Sequence, residues 1–256
     1  MALKSQNRYG ALVEEVFRLR YSLGDTEVPF TRQDIETAAA KLSLRLPNNV
    51  ADVLYSFRFR NDLPQSITDT QPAGLAWRIE LAGRGKYRFA LRRHVELEPD
   101  TAMEPLPIPD ATPAAIRFYA MDDEQALLAI LRYNRLIDVF LELTAYSLQN
   151  HLRTTVPGVG QIEIDELYIG VDRDGIRYVV PVQAKSGSDR VGAVQAEQDI
   201  AFARTRFPDL ICRPVSARFL VGGAIALMEL DSRDGDLYVK AERHYRLTND
   251  DGSDAA

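Results

Sequence analysis

Carboxylates on alternate residues of one run, then an amide and an amine on alternate residues of the next, are the pattern in this chain best suited to chemistry. The first run is Gln161-Ile-Glu-Ile-Asp165-Glu-Leu-Tyr-Ile-Gly170 and the second is Tyr178-Val-Val-Pro-Val-Gln183-Ala-Lys185. Both have the composition of strands, and side chains two apart on a strand share a face. Glu163 and Asp165 therefore point together, as do Gln183 and Lys185. Between the runs, Asp172-Arg-Asp-Gly175 has the residues of a tight turn, which makes the pair a hairpin. An acid, an amide oxygen and an ammonium then share one edge of a small sheet, a set that can hold a divalent cation, a water and a phosphodiester.

These strands need supports. Ahead of them, Asp122-Asp-Glu-Gln125 opens a helical region in the manner of a capping box. The apolar spacing runs on through Leu127, Leu131 and Ile137 to Leu148, which predicts two helices broken near Tyr133-Asn134. Asp138, Glu142 and Gln149 form a polar stripe on the second helix, and by periodicity alone Glu142 is an ordinary solvated residue. Behind the hairpin, Val194–Arg206 is a predicted helix and Leu210–Leu220 a strand. Ala224–Asp231 and Asp236–Tyr245 pair over Asp234-Gly235. The expected rear half is an α/β (α+β) core with a central mixed sheet.

The front half has a different pattern. Apolar residues at Leu12, Val16 and Leu19 predict a first helix. A second begins after Pro29-Phe-Thr31, with Thr31 as N-cap and Asp34 three residues on. The third follows Pro47-Asn-Asn49, with Val50, Val53, Leu54 and Phe57 inward and Arg58 and Arg60 outward. Trp77–Leu81 and Lys86–Leu91 form a strand pair through Ala82-Gly-Arg-Gly85. Three helices and a hairpin with a basic tip are the order of a mainly helical winged helix-turn-helix domain. That order makes Arg58, Arg60, Arg84, Lys86 and Arg88 the candidate DNA contacts. Two alternatives stand beside this: a protein-docking role for the domain, and an ion pair between Arg58 and Asp62.

The bulk composition limits the choices. The net charge of −6 argues against indiscriminate coating of nucleic acid, but residues 1–93 carry 15 Lys+Arg and 10 Asp+Glu, so the negative excess lies in the rear. A basic front would meet phosphate and an acidic rear would hold metal. Cys212 is the lone cysteine, which excludes an internal disulfide and fits a reducing cytoplasm. No long apolar run and no signal-peptide pattern occur, so no membrane partner is expected. The proline- and acid-rich stretch 95–113 is the expected linker. It divides a DNA-binding domain, 1–94, from a catalytic domain, 114–248, and 249–256 is an acidic tail with the composition of disorder.

The succession of Glu142 on a helix, Asp165 on a strand, Gln183-Ala-Lys185 on the next and a glutamine-bearing helix after it resembles the PD-(D/E)xK nuclease superfamily. Its Gln-x-Lys form is similar to that of Mrr-type restriction enzymes. The likeness spans about residues 135–220, and with the front half the chain resembles a type II restriction endonuclease. Two departures are visible: Ile164, not proline, precedes Asp165, and Gln183 replaces an acid.

The resemblance implies a restriction-endonuclease-like core and a Mg²⁺-dependent deoxyribonuclease, with Mn²⁺ as a possible substitute. It makes Asp165 the first metal ligand, with the Gln183 side-chain oxygen and the Ala184 carbonyl as neutral partners. Glu142 joins through water or a second metal, Glu163 is the substitute acid, and Lys185 positions the attacking water. Gln195 and Gln198, with His151 and Arg153, are further candidates for contact with double-stranded DNA, and each is equally suited to a wet surface. Cutting both strands takes two sites, so a homodimer is expected. Three alternatives remain: a non-catalytic DNA-binding regulator with a degenerate nuclease fold, a structure-specific nuclease of the junction-resolvase type, and a plain cross-strand ion pair between Asp165 and Lys185.

Overall fold

Two compact units make up the chain in a computed structural model. It describes residues 2–59, 61–83, 85–93, 97–119, 124–156, 160–185, 192–233 and 236–249. One unit holds residues 1–94 with 157–160, and the other holds 95–156 with 161–256. Together they form a mixed α+β protein with eight helices, a three-stranded sheet and an eight-stranded sheet among the described residues. No described helix is long and apolar enough to cross a membrane.

In the front unit, α1 (Ala2–Arg20) is followed by β1 (Glu27–Thr31), α2 (Arg32–Lys41), α3 (Ala51–Phe59), α4 (Gln65–Thr68), β2 (Leu75–Gly83) and β3 (Lys86–Arg93). The strands form an antiparallel sheet in the order β1-β3-β2. Leu12, Val16, Ile35, Val53, Trp77 and Phe89 close one apolar core between helices and sheet. Thr31 caps α2: its backbone N–H donates to Asp34 Oδ2 at 2.7 Å. The run Glu27–Thr31, expected to lead straight into a helix, is a strand first. Val28 and Phe30 alternate inward on it, a period of two too short to register against the helix that follows.

The rear unit begins with β4 (Leu106–Pro109), α5 (Ala114–Tyr119), α6 (Glu124–Tyr133) and α7 (Leu136–Leu141). Strands β5 (Thr144–Val156), β6 (Gly160–Val171) and β7 (Arg177–Lys185) follow, then α8 (Ala193–Arg206), β8 (Ile211–Cys212), β9 (Val215–Phe219), β10 (Ile225–Arg233) and β11 (Asp236–Thr248). The sheet order is β4-β11-β10-β9-β7-β6-β5, with β8 also on β7. β7 runs antiparallel to β6 and parallel to β8 and β9. Val182, Ala184, Val215 and Ala217 pack under α6 and α7 through Leu127, Leu131 and Ile137. Ala196 and Ile200 of α8 pack on Met228 and Leu230. The sheet is thus layered between helices.

Two expectations fail here. The helix drawn through Leu148 stops at Leu141; Glu142 adopts φ 56°, and β5 starts at Thr144. The spacing of Leu141, Ala145 and Leu148 fits a helix, but Leu148 is exposed on an outer strand. The supposed linker is also part of the rear unit. Leu97 is buried beside α8, Arg218 pairs with Glu98 at 2.7 Å, and β4 lies parallel to β11. The two prolines of β4, which lack an N–H, suit such an edge position.

Candidate active site

The β6–β7 ladder runs from Val171↔Arg177 to Glu166↔Val182 and ends there, one residue before Asp165 and Gln183. Residues opposite one another share a face, so Asp165 and Gln183 lie together on the side away from Glu166 and Val182. Past the last pair, side chains take over the bonding. The Ala184 N–H donates to Asp165 Oδ2 at 2.9 Å, and Gln183 Nε2 donates to the Glu163 carbonyl at 2.9 Å. The parting of the strands is therefore lined by polar groups rather than closed by a ladder.

Lys185 ends β7 there. Its Nζ lies 3.9 Å from Asp165 Oδ2 and 3.3 Å from Glu124 Oε1, so one ammonium sits between two carboxylates from different elements. Asp165 is 8% exposed. Burial pushes its carboxyl above the ordinary aspartate range, against the pull of Lys185 and the Ala184 amide. A desolvated carboxylate of this kind gains from a further cation.

Behind it lies a chain of amides. Gln183 is buried; its Nε2 also donates to Asp199 Oδ2 at 2.8 Å, and its Oε1 accepts from Gln195 Nε2 at 2.7 Å. Two acceptors around Nε2 fix which end of the amide is which. Asp199, on α8, is also buried, and desolvation holds its carboxyl well above the usual range.

The geometry gathers Asp165, Lys185, Gln183, Ala184 and Gln195 and leaves others outside. Glu142, expected as the helical acid, is an exposed cap on α7 whose charge acts on Arg213. Arg213 bonds the Val179 carbonyl, toward the far end of β7 from Lys185. The acid that a helix does bring to the lysine is Glu124, at the start of α6. Its sequence signal was the capping pattern at 122–125; residues 120–123 lie outside the described residues. Glu163 points its carboxylate to Arg153 at 2.9 Å, so both are held at the rim. His151 is exposed on β5 with φ 47°, and Gln198 is buried on α8, which removes it as a surface DNA contact. Cys212 is half-buried on β8, and burial pushes its thiol up to about 12.

Comparison with protein-family models, with curated proteins and with solved structures finds no match. The site rests on its own geometry.

The front-unit candidates divide as well. Arg58, expected outward, is half-buried, and that burial lowers its pKa, against Tyr87 and Glu80 nearby. Arg88 donates to Glu80 Oε2 at 2.8 Å, directly across the strand pair, and Arg92 shares that carboxylate. Lys86 is exposed at the start of β3. Arg60 and Arg84 lie outside the described residues.

The donors present suit a hard cation. Asp165 and Glu124 are carboxylates, the oxygen donors that such an ion takes. Among the described residues no group of three or more His, Cys, Asp and Glu side chains is arranged as a metal site. A cation here would lean on backbone oxygen and water as well as on acids.

Proposed function

We propose that the rear unit is a metal-dependent DNA endonuclease of the PD-(D/E)xK type, fed by a winged-helix DNA-binding unit in front. The observation that carries the reading is the end of the β6–β7 ladder. There Asp165 takes the Ala184 amide and Lys185 sits between Asp165 and Glu124. Strand order adds support: a β5-β6-β7 side with β7 antiparallel to β6, a crossover through α8 and a parallel β9 give the central mixed sheet expected of a restriction-endonuclease-like core. In the front unit, the order α1-β1-α2-α3-α4-β2-β3 with sheet order β1-β3-β2 supports a winged helix.

Mg²⁺ or Mn²⁺ would be held by Asp165, with the Ala184 carbonyl and Glu124 as further oxygen donors, and would neutralise charge on the scissile phosphate. Lys185 donates to the attacking water or the phosphate oxygen, where its charge acts in a half-buried setting. Gln183 leaves the ligand set proposed for it. Its oxygen is held by Gln195, and its work is to tie β7 to α8 behind the site.

One observation favours a second reading. A glutamine so fully bonded stands where an acid would serve a metal, which fits a regulator that binds DNA without cutting it. Supercoiled plasmid incubated with Mg²⁺, Mn²⁺ or EDTA separates the two. Nicked or linear product that needs metal supports the nuclease, and intact plasmid under every condition, with binding retained, supports the regulator. A preference for branched over linear duplex would identify a structure-specific nuclease.

A further inference from the structure

The two edges of the large sheet are built in opposite ways. β4, at one end, has four residues, two of them the prolines Pro107 and Pro109, which have no N–H to offer a visiting strand. β5, at the other end, has thirteen residues with neither proline nor lysine. From Tyr146 to His151 each residue is exposed, with Tyr146 at 62% and Leu148 at 55%. Short strands, prolines and lysines are the usual means of keeping a sheet edge from pairing, and β5 uses none of them.

Alternate residues of an antiparallel strand send both N–H and C=O to the same edge. The Ala145 N–H goes to Asp138 Oδ1 at 3.0 Å rather than to β6. By that alternation the Ser147 and Gln149 amides lie on the same outer edge. The positive φ of His151 ends the regular stretch.

We propose that β5 is the interface between two copies of this chain, joined edge to edge as an antiparallel β5–β5 pair about a two-fold axis. Charge decides between a copy and a foreign strand. The stretch Thr144-Ala-Tyr-Ser-Leu-Gln-Asn150 has no ionised side chain, so it meets its own copy without like charges opposed and offers no charge by which a partner of either sign would be selected. A pair centred on Ser147 also sets Tyr146 of each copy beside Leu148 of the other. A two-fold axis normal to the sheet keeps both copies of Asp165 on one side. The β6 strands then stand three strand spacings apart, about 14 Å. If the nuclease reading holds, two sites would face one duplex.

Sedimentation velocity on the full chain across micromolar concentrations tests the pairing, with Tyr146→Lys/Leu148→Lys as the comparison. Wild type is expected to reach twice the chain mass, and the double variant to stay at chain mass with an unchanged far-UV circular dichroism spectrum. Hydrogen exchange gives a second measure that needs no variant: the Ser147 and Gln149 amides should slow as concentration rises. A wild-type monomer throughout, a double variant that still dimerises, or exchange at those amides independent of concentration would overturn the proposal. Plasmid cleavage is scored separately: a β5-paired dimer without metal-dependent cutting sinks the nuclease reading and leaves the interface standing.

Discussion

The backbone N–H of Ala184 donates to the carboxylate of Asp165 across the point where β6 and β7 part. One bond thus fixes a buried acid and the strand that carries the lysine. A change at either residue should be felt by the other.

Replacing Lys185 with Ala is expected to lower the metal-dependent cleavage rate by about 10²–10³, the usual cost of losing a charged group at a transition state. Affinity for a DNA fragment should hardly change. Cleavage rate and a filter-binding isotherm on the same preparation check both halves, and undiminished cutting would refute the assignment.

Glu124 and Glu142 make opposite predictions. Glu124→Gln removes a carboxylate 3.3 Å from the lysine and should slow cleavage at least about tenfold, since each 1.4 kcal/mol is a factor of ten. Glu142→Gly should leave cleavage intact. Because Glu142 adopts φ 56°, glycine there should also raise stability by about 0.5–1 kcal/mol in urea denaturation.

Two acids should give opposite pH slopes. Burial raises the Asp199 carboxyl above 3.8, so its stabilising share is complete below the unfolded pKa and lost as pH rises through the folded one. Asp199→Asn should therefore gain melting temperature over wild type at neutral pH and lose that gain in acid. For Glu229, burial acts upward, but hydrogen bonds from Arg213 and Lys240 outweigh it and hold the carboxyl below 4.5. Its share is present above the unfolded pKa and lost as pH falls. Glu229→Gln should cost about 3 kcal/mol at neutral pH, with Arg213 left uncompensated, and less in acid. Thermal melts across pH decide each case.

A Cβ on Gly170 would lie 2.6 Å from Leu143 Cδ1, and Leu143 is itself buried. Gly170→Ala should destabilise the rear unit by about 1–3 kcal/mol through overpacking, read as a lower urea midpoint. Leu143→Ala in the same chain should restore part of that loss.

In the front unit, Lys86 at the start of β3 is exposed while Arg58 on α3 is half-buried. Lys86→Ala should reduce the slope of log affinity against log salt by about one while leaving stability alone. Arg58→Ala should instead lower the melting temperature.

The sequence made the site strands legible because polar residues alternate along the first half of β6 and at the Gln183-x-Lys185 end of β7, with a turn between the strands, and Asp172 caps that turn by accepting from the Asp174 and Ile176 amides. It hid β5, whose outer position leaves alternation without an apolar face, so that Leu141, Ala145 and Leu148 imitate a helix. It hid Glu124 as well, because a capping acid and a site acid look alike until the fold brings Lys185 beside one of them. Arg58 went astray for a third reason: helical spacing locates a face but does not say what packs over it.

Pro181 of β7 lies level with Pro214, between β8 and β9, and the alignment is the same on both sides of that gap. Val179, two residues before Pro181, turns its carbonyl to the Arg213 amide, and Pro214 turns its own to the Leu230 amide of β10. Alternate residues face the same edge, so Pro181 withholds an N–H from the β8–β9 side and Pro214 withholds one from the β10 side. Both omissions fall where β7 changes partner from β8 to β9, which leaves the pairs from Val182 to Lys185 intact and the amine at 185 on an unbroken ladder.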